Sequence, residues 1–223
     1  MTLNLWIFGL CSLLIAGVTV LSSASPRFPG DHQGYEPVQP IAFSHRLHAG
    51  ELSMDCQYCH YGARSSRHAG VPPASVCMNC HKLVTSSYDA LLEERELAAI
   101  EVREPEVIIS DELAKLYRAL ALGEDLTYSS DLERQPIEWV RVHNLPDFVY
   151  FDHRVHVARD IACETCHGPV QGMERMRQES DLSMGWCLDC HRSNAAHKTG
   201  GKLQAAGERV EDHVSTNCVT CHF

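Results

Sequence analysis

Ten of the chain's eleven cysteines fall into one repeated triplet. Cys56/Cys59/His60, Cys77/Cys80/His81, Cys163/Cys166/His167, Cys187/Cys190/His191 and Cys218/Cys221/His222 all read Cys-x-x-Cys-His, and only Cys11 stands apart. Paired thiols by themselves suit a dithiol redox couple, a zinc knuckle or a disulfide framework. None of these needs a histidine at the next position. With 14 histidines in 223 residues, five such placements would arise by chance roughly once in a million. The triplet is the attachment signal for c-type haem. Its two thiols add to the two vinyl groups of one porphyrin, and the adjacent imidazole reaches the iron from one face. The expectation is five covalently bound c-type haems, with His60, His81, His167, His191 and His222 as proximal ligands.

An iron held from one face by a single imidazole keeps its other face open. A second imidazole there makes a low-spin centre suited to electron transfer rather than to substrate binding. The chain offers such imidazoles in a repeated setting. FSHRLHAGELSMDCQYCHY at 43–61 and FDHRVHVARDIACETCHG at 151–168 align Phe43 with Phe151, His45 with His153, His48 with His156 and Cys56 with Cys163, with one residue of difference in the gap. Positions i and i+3 of a helical turn project in nearby directions. His45 and His48, and likewise His153 and His156, can therefore reach two neighbouring irons and hold the porphyrins in a stack. Each copy is followed by a second attachment motif, so the chain reads as a duplicated two-haem module with a fifth motif appended at its C-terminus. By analogy between the copies, His45 and His153 serve the haems attached just after them, and His48 and His156 reach across to others. The fifth distal ligand is assigned to His143, in WVRVHNLPDFVYF. His68, His197 and His213, and the thioethers of Met173, Met176 and Met184, stay open as alternatives. Packing against a porphyrin face is the plainer role for the methionines and for Trp186.

These ligands need a scaffold, and there is little chain to build one. At about 45 residues per motif, no porphyrin can be wrapped in a globular core of its own. The fold class expected is mainly α with many loops, with a haem stack as the core. Residues 1–26 carry no charged side chain, and Leu3 to Leu21 is a nearly unbroken apolar run. That length spans a bilayer as one helix. A secretory signal is the competing reading, but the run exceeds the usual signal core and no Lys or Arg precedes it. Cys11, inside the run, reads as a small buried hydrophobe. The organisation expected is an anchor at 1–26, a first two-haem module at 27–84, a helical insert at 85–142, and the second module with the fifth motif at 143–223. Thioether attachment puts the haem domain on the periplasmic side of a bacterial inner membrane.

The insert contains no histidine or cysteine, so it holds no haem. A helix is expected over roughly 88–101, and Ser110 should cap an amphipathic helix running through DELAKLYRALAL to a stop at Gly123. Residues 85–142 carry 14 Asp/Glu against 6 Lys/Arg, in a chain of net charge −10. The acidity is therefore localised. A solvated face accounts for such a run, and so does a surface that steers a basic soluble electron acceptor. A nucleic-acid partner is excluded by the sign of the charge.

The strings FSHRLH…CQYCH…VPPASVCMNCHK and VHNLPDFVYFDHRVH…CETCHG…LSMGWCLDCHR, with a terminal CVTCHF, resemble the membrane-anchored pentahaem cytochrome c subunit of alternative complex III. The likeness covers residues 41–81 and 136–223 and the N-terminal apolar segment. The Phe-x-His-x-x-His pairs also resemble small cytochromes of the c3/c7 type. The first resemblance implies an electron-transfer subunit of a respiratory quinol:acceptor oxidoreductase. An iron–sulfur protein and polytopic quinol-binding subunits would supply its electrons, and a monohaem cytochrome c or a soluble acceptor would receive them. It implies no catalytic residue in this chain. The other readings weighed are a membrane-anchored multihaem quinol dehydrogenase acting on quinol directly, a self-standing multihaem reductase and a soluble periplasmic carrier. The reductase would need a Cys-x-x-Cys-Lys site and a longer chain.

Overall fold

The computed structural model describes residues 31–123, 125–193 and 215–222. The expected anchor at 1–26, together with His197 and His213, lies outside them. Among the described residues no helix is long and apolar enough to cross a membrane. The fold is made of short helices and loops. Its extended pairing, among these residues, is limited to the isolated bridges Leu122–Tyr128 and Val149–His222.

Each attachment motif rides on its own helical segment: α1 (Cys56–Cys59), α2 (Ala74–His81), α6 (Glu164–His167), α7 (Met184–Ser193) and α8 (Cys218–Cys221). One helical turn puts two thiols three residues apart on the same face. Short polar side chains start several of these turns. Asp55 accepts from the Gln57 amide (2.7 Å), Ser183 from Trp186 (3.1 Å) and Asn217 from Val219 (3.3 Å). Such caps satisfy amide groups that a one-turn helix would otherwise leave unpaired.

The two paired-histidine segments differ in one respect. His153 and His156 lie on α5 (His153–Val157), capped by Asp152, whereas His48 lies in a π-helical turn, Arg46–Glu51. The copies are back in register three residues before the first cysteine, where Ser53 (φ 52°) and Asp160 (φ 54°) both adopt the left-handed conformation. The single extra residue between His48 and Cys56 is thus absorbed in the π turn, which accommodates one residue more than an α turn does.

The modules grip each other reciprocally. The π turn of the first packs on the 3₁₀ turn Val170–Gly172 of the second, and α5 of the second packs on the 3₁₀ turn Tyr61–Arg64 of the first. Arg46 N donates to the Met173 carbonyl (2.9 Å) and His153 N to the Arg67 carbonyl (3.2 Å). Ser44 Oγ and Arg46 Nε both reach Glu174 (2.9 Å each). Arg67 donates to the carbonyl of Phe151 (3.0 Å) and lies over the Tyr150 ring, 4.4 Å from its centre.

The insert forms α3 (Tyr88–Glu101) and α4 (Asp111–Ala119), started by the side chains of Ser87 and Ser110. The first matches the expected span. The second ends before Gly123. Ala121 takes the left-handed position (φ 58°) and Leu122 N returns to the Tyr117 carbonyl (2.9 Å), a helix-ending motif made without glycine. Tertiary packing holds it there, since Leu116, Tyr117 and Ala121 are buried. Where the chain leaves α3, the buried Glu94 carboxylate accepts from Arg103 Nη1 (2.5 Å) and from the Glu106 amide (2.7 Å). Those two donors hold the carboxyl below its usual range.

The intermodule contact requires glycine at one point. A Cβ added at Gly50 would lie 2.3 Å from the Gln171 carbonyl oxygen, a rigid backbone atom, whereas one at Gly172 would meet nothing within 4 Å. Gly50→Ala should therefore cost about 1–3 kcal/mol through overpacking. Gly172→Ala should fall within roughly 0.5 kcal/mol of wild type. Guanidinium unfolding midpoints of the two variants measure the difference, and equal midpoints would contradict the packing described.

Candidate haem sites

Five histidines follow their thiol pairs directly, and for four of them the structure supplies an opposing imidazole. His45 faces His60 with ring centres 6.5 Å apart and planes 9° from parallel, and His153 faces His167 at 6.3 Å and 7°. His48 opposes His81 at 6.1 Å, and His156 opposes His191 at 6.2 Å, with the planes tilted by 58° and 42°. An iron between two imidazoles requires two metal–nitrogen bonds of about 2 Å and about 1.2 Å more from each nitrogen to its ring centre, or about 6.4 Å in all. All four pairs meet that spacing. A direct imidazole stack or hydrogen bond would bring the rings closer, as His143 and His167 show at 4.5 Å.

The outer ring nitrogens support the same fit. Nδ1 of His48 lies 2.8 Å from the Ser44 carbonyl, that of His156 2.8 Å from Asp152 O, and that of His153 2.9 Å from Arg67 O. On the proximal side, His60 Nδ1 lies 2.6 Å from Gly70 O, His81 2.8 Å from Val84 O, and His191 2.9 Å from Ser215 O. A carbonyl only accepts, so each Nδ1 carries the proton and Nε2 keeps its lone pair. Tethering one ring nitrogen while the other faces the metal is how proteins fix the tautomer and orientation of a ligating histidine. Phe43 and Phe151 complete the setting. Each lies edge-on to the first histidine of its pair (5.0 and 4.9 Å) and stacks on the second (4.4 and 4.6 Å).

Burial favours the neutral form at three of the histidines gathered here. Burial, with neighbouring imidazoles adding to it, lowers His45 and His167 to about 4. His143 is lowered to about 4 as well, by burial and then by His153. Neutral imidazole is the form that binds a metal. The thiols shift the other way. Burial, and then Cys190, Cys187 and Cys163, push Cys166 up to about 11, and burial raises Cys56, Cys59, Cys77 and Cys187. The ten described cysteines are free of disulfides, leaving every pair available to porphyrin.

The thiols are not equally enclosed. Cys80 and Cys218 are exposed, whereas the other eight described cysteines are half-buried. At the second motif the two thiols therefore differ, with Cys77 turned inward toward Cys59 and Cys80 at the surface. The cause is the path of the chain. Cys80 lies in the last turn of α2, where the amides of Leu83 and Val84 fold back onto its carbonyl (2.9 and 3.0 Å), and both of those side chains are themselves exposed. Its role as the second thioether cysteine of that motif stays an assignment from the triplet.

His143, expected as the fifth distal ligand, is placed elsewhere. Its Nε2 lies 3.1 Å from Nδ1 of His167, so it touches the proximal histidine of the third motif. The path of the chain takes it there. Asn144 N is tied to the buried Gln178 (3.0 Å), and Gln178 lies in the loop that follows the third motif. Among the described residues, the ring that stacks beside His222 is that of Phe148, with centres 5.8 Å apart. Sequence reasoning gave no role to His32, whose buried Nδ1, like that of His45, has no hydrogen-bond partner among the described residues. A single histidine far from any motif carried no signal that would have singled it out. Nor did sequence foresee that Arg67, Gly70, Val84, Asp152 and Ser215 would supply the tethering carbonyls, since backbone groups leave no mark on residue type.

Comparison with known proteins agrees with this chemistry. A family model described as cytochrome c7 and related cytochrome c matches residues 149–223. The multiheme cytochrome c subunit of menaquinone reductase from Nitratidesulfovibrio vulgaris is 26% identical over 129 residues, which is 58% of this chain and 45% of that protein. The chain thus spans less than half the length of the relative it matches. The attachment triplets, the opposed imidazoles and these two similarities together support a multihaem cytochrome c with covalently attached haem.

Proposed function

We propose that this chain is the electron-transfer subunit of a membrane quinone-linked oxidoreductase, holding five c-type haems and relaying electrons between partner subunits and an acceptor. The observation that carries the reading is the opposed imidazole pair at four of the five motifs. His45 with His60, His48 with His81, His153 with His167 and His156 with His191 would occupy both axial positions of an iron. Haem so held exchanges single electrons between its ferric and ferrous forms and offers no coordination position to a substrate. The protein's part is to supply neutral, tethered imidazoles on both faces and to hold neighbouring sites close. His143 would fix the orientation of His167. The fifth site, at His222, would draw its distal ligand from the other candidates, namely His68, a thioether of Met173, Met176 or Met184, or His197 and His213 beyond the described residues.

The similarity to a menaquinone reductase subunit supports a quinone-linked complex. The order of the motifs and the strings around them support alternative complex III as that complex. Its partners would then be an iron–sulfur protein, polytopic quinol-binding subunits and a monohaem cytochrome c. Residues 1–26 would anchor the chain in the inner membrane with the haem domain on the periplasmic side. The whole cysteine complement of residues 31–223 is committed to Cys-x-x-Cys-His triplets, which leaves no thiols here for an iron–sulfur cluster.

Three outcomes test the proposal. The mature protein should carry five porphyrins by intact mass, and Cys163→Ser with Cys166→Ser should remove one of them. His153→Ala should leave that mass unchanged while converting one haem from low to high spin, read by electron paramagnetic resonance. If every haem spectrum survives the substitution, the ligand assignment is wrong. The isolated subunit should not oxidise a quinol analogue at a rate above the uncatalysed background. Sustained turnover without partners would establish direct quinol dehydrogenation instead.

A further inference from the structure

The residues that hold the motifs also place the motifs relative to one another, and the spatial order differs from the order along the chain. The first and third sites are neighbours. α5, which carries His153, packs on the turn Tyr61–Arg64 that directly follows His60, and the π turn that carries His48 packs on the turn Val170–Gly172 just after His167. The distal histidine of the third site, His153, is tethered to the Arg67 carbonyl (2.9 Å), in the loop just after the first motif. The second site joins the first from the other side. His45 and His48 bracket Phe43, Asn79 donates to the Tyr58 hydroxyl (2.9 Å), and Cys77 lies near Cys59. The fourth joins the third in the equivalent way, through His153, His156 and Phe151, with Cys166 near Cys187 and Cys190. The fifth adjoins the fourth, with Cys221 near Cys187 and the Ser215 carbonyl held by His191 (2.9 Å).

We infer that the five sites are threaded in the order second, first, third, fourth, fifth, and that the second site is the port at which a basic, soluble single-haem electron carrier docks. The inference rests on the electron-relay reading above and goes beyond it by naming the terminus. A chain-order wire would bury the second site in the interior of the path. The reciprocal packing of the modules puts the first and third sites at its centre and exposes the second at one end.

The surface at that end has the chemistry of a transient redox interface. The acidic insert is built onto the second motif: the Tyr117 hydroxyl donates to the His81 carbonyl (2.6 Å), Ser110 N donates to Thr85 O (3.0 Å), and α4 packs on α2. α3 begins seven residues after His81. Its buried side holds Glu94 and Ala98, and its exposed side presents Asp89, Glu93, Glu96, Leu97 and Ile100, positions that fall on one helical face. Carboxylates around a small apolar patch favour fast, weak, salt-sensitive association with a lysine-rich partner. The transfer itself is one electron. The ferrous iron at the second site becomes ferric, the carrier's ferric iron becomes ferrous, and no bond or proton is exchanged.

The test uses the full-length, haem-loaded protein and an oxidised lysine-rich soluble cytochrome c as probe. Zero-length carbodiimide cross-linking followed by peptide mapping should join probe lysines to Asp89, Glu93 or Glu96. Cross-links confined to Glu164, Glu179 or Asp181 would overturn the port. Glu93→Lys with Glu96→Lys should slow reduction of the probe roughly tenfold at low ionic strength and leave all haem spectra unchanged. A salt-insensitive rate equal to wild type would also overturn it. The order is read separately by rapid mixing of the reduced protein with the probe. His45→Met replaces one imidazole by a thioether, which raises the potential of the first site and retains its electron. Only the second site should then discharge quickly, leaving about one-fifth of the wild-type fast amplitude. A fast phase of about four-fifths would mean that sites three to five reach the probe without passing the first, and would refute the order. If the unmodified reduced protein reduces no carrier at all, the relay reading itself has failed, an outcome distinct from either of these.

Discussion

Everything in this chain depends on a spacing: two imidazole rings held with their centres a little over 6 Å apart. That gap suits one metal ion and suits little else in protein chemistry. It is too wide for a hydrogen bond or a ring stack and too narrow and polar for an apolar side chain. Most of these rings are anchored through Nδ1: backbone carbonyls hold His48, His60, His81, His153, His156 and His191, and His143 holds His167. Because a carbonyl cannot donate, the anchor also settles where the proton resides. One hydrogen bond therefore sets ring position, ring orientation and ligand basicity together.

The second organising feature is duplication with exchange. Each paired-histidine segment packs against the loop behind the other module's first attachment motif, so neither module completes its surroundings alone. The Arg67 carbonyl, in the first module, orients His153, in the second. In return Glu174, in the second, holds Ser44 and Arg46 beside His45, in the first. A π turn absorbs the one-residue difference between the copies, so both regain the same left-handed residue before their cysteines. Electron transfer between haems weakens steeply with separation, and an arrangement that brings two sites together at the module boundary gives the proposed relay its continuity.

The acidic insert plays a different structural part. It holds no candidate ligand, and its own stability comes from ordinary devices: serine caps, a buried Glu94 neutralised by Arg103, and a helix end packed through Leu116, Tyr117 and Ala121. Its attachment to the His81 carbonyl through Tyr117 gives its charge a location beside one particular site, and that location is what turns a solvated acidic run into a proposed docking face.

What the sequence determined by itself was the chemistry. Thiol pairs followed by histidine specify covalent haem because the spacing of the vinyl groups and the adjacent imidazole are constraints local to five residues, and the Phe-x-His-x-x-His repeats are local in the same sense. The capped helix at 88–101 was legible for that reason too. Partnership and enclosure were decided by the tertiary structure. Which imidazole opposes which, that His143 reaches His167, that the third site neighbours the first, that Cys80 lies at the surface while Cys77 does not, and that α4 stops at Ala119 all depend on how distant or turning stretches of chain pack together. Much of that selection is made by backbone carbonyls and loop paths, which every residue type can provide and which residue identity therefore does not announce.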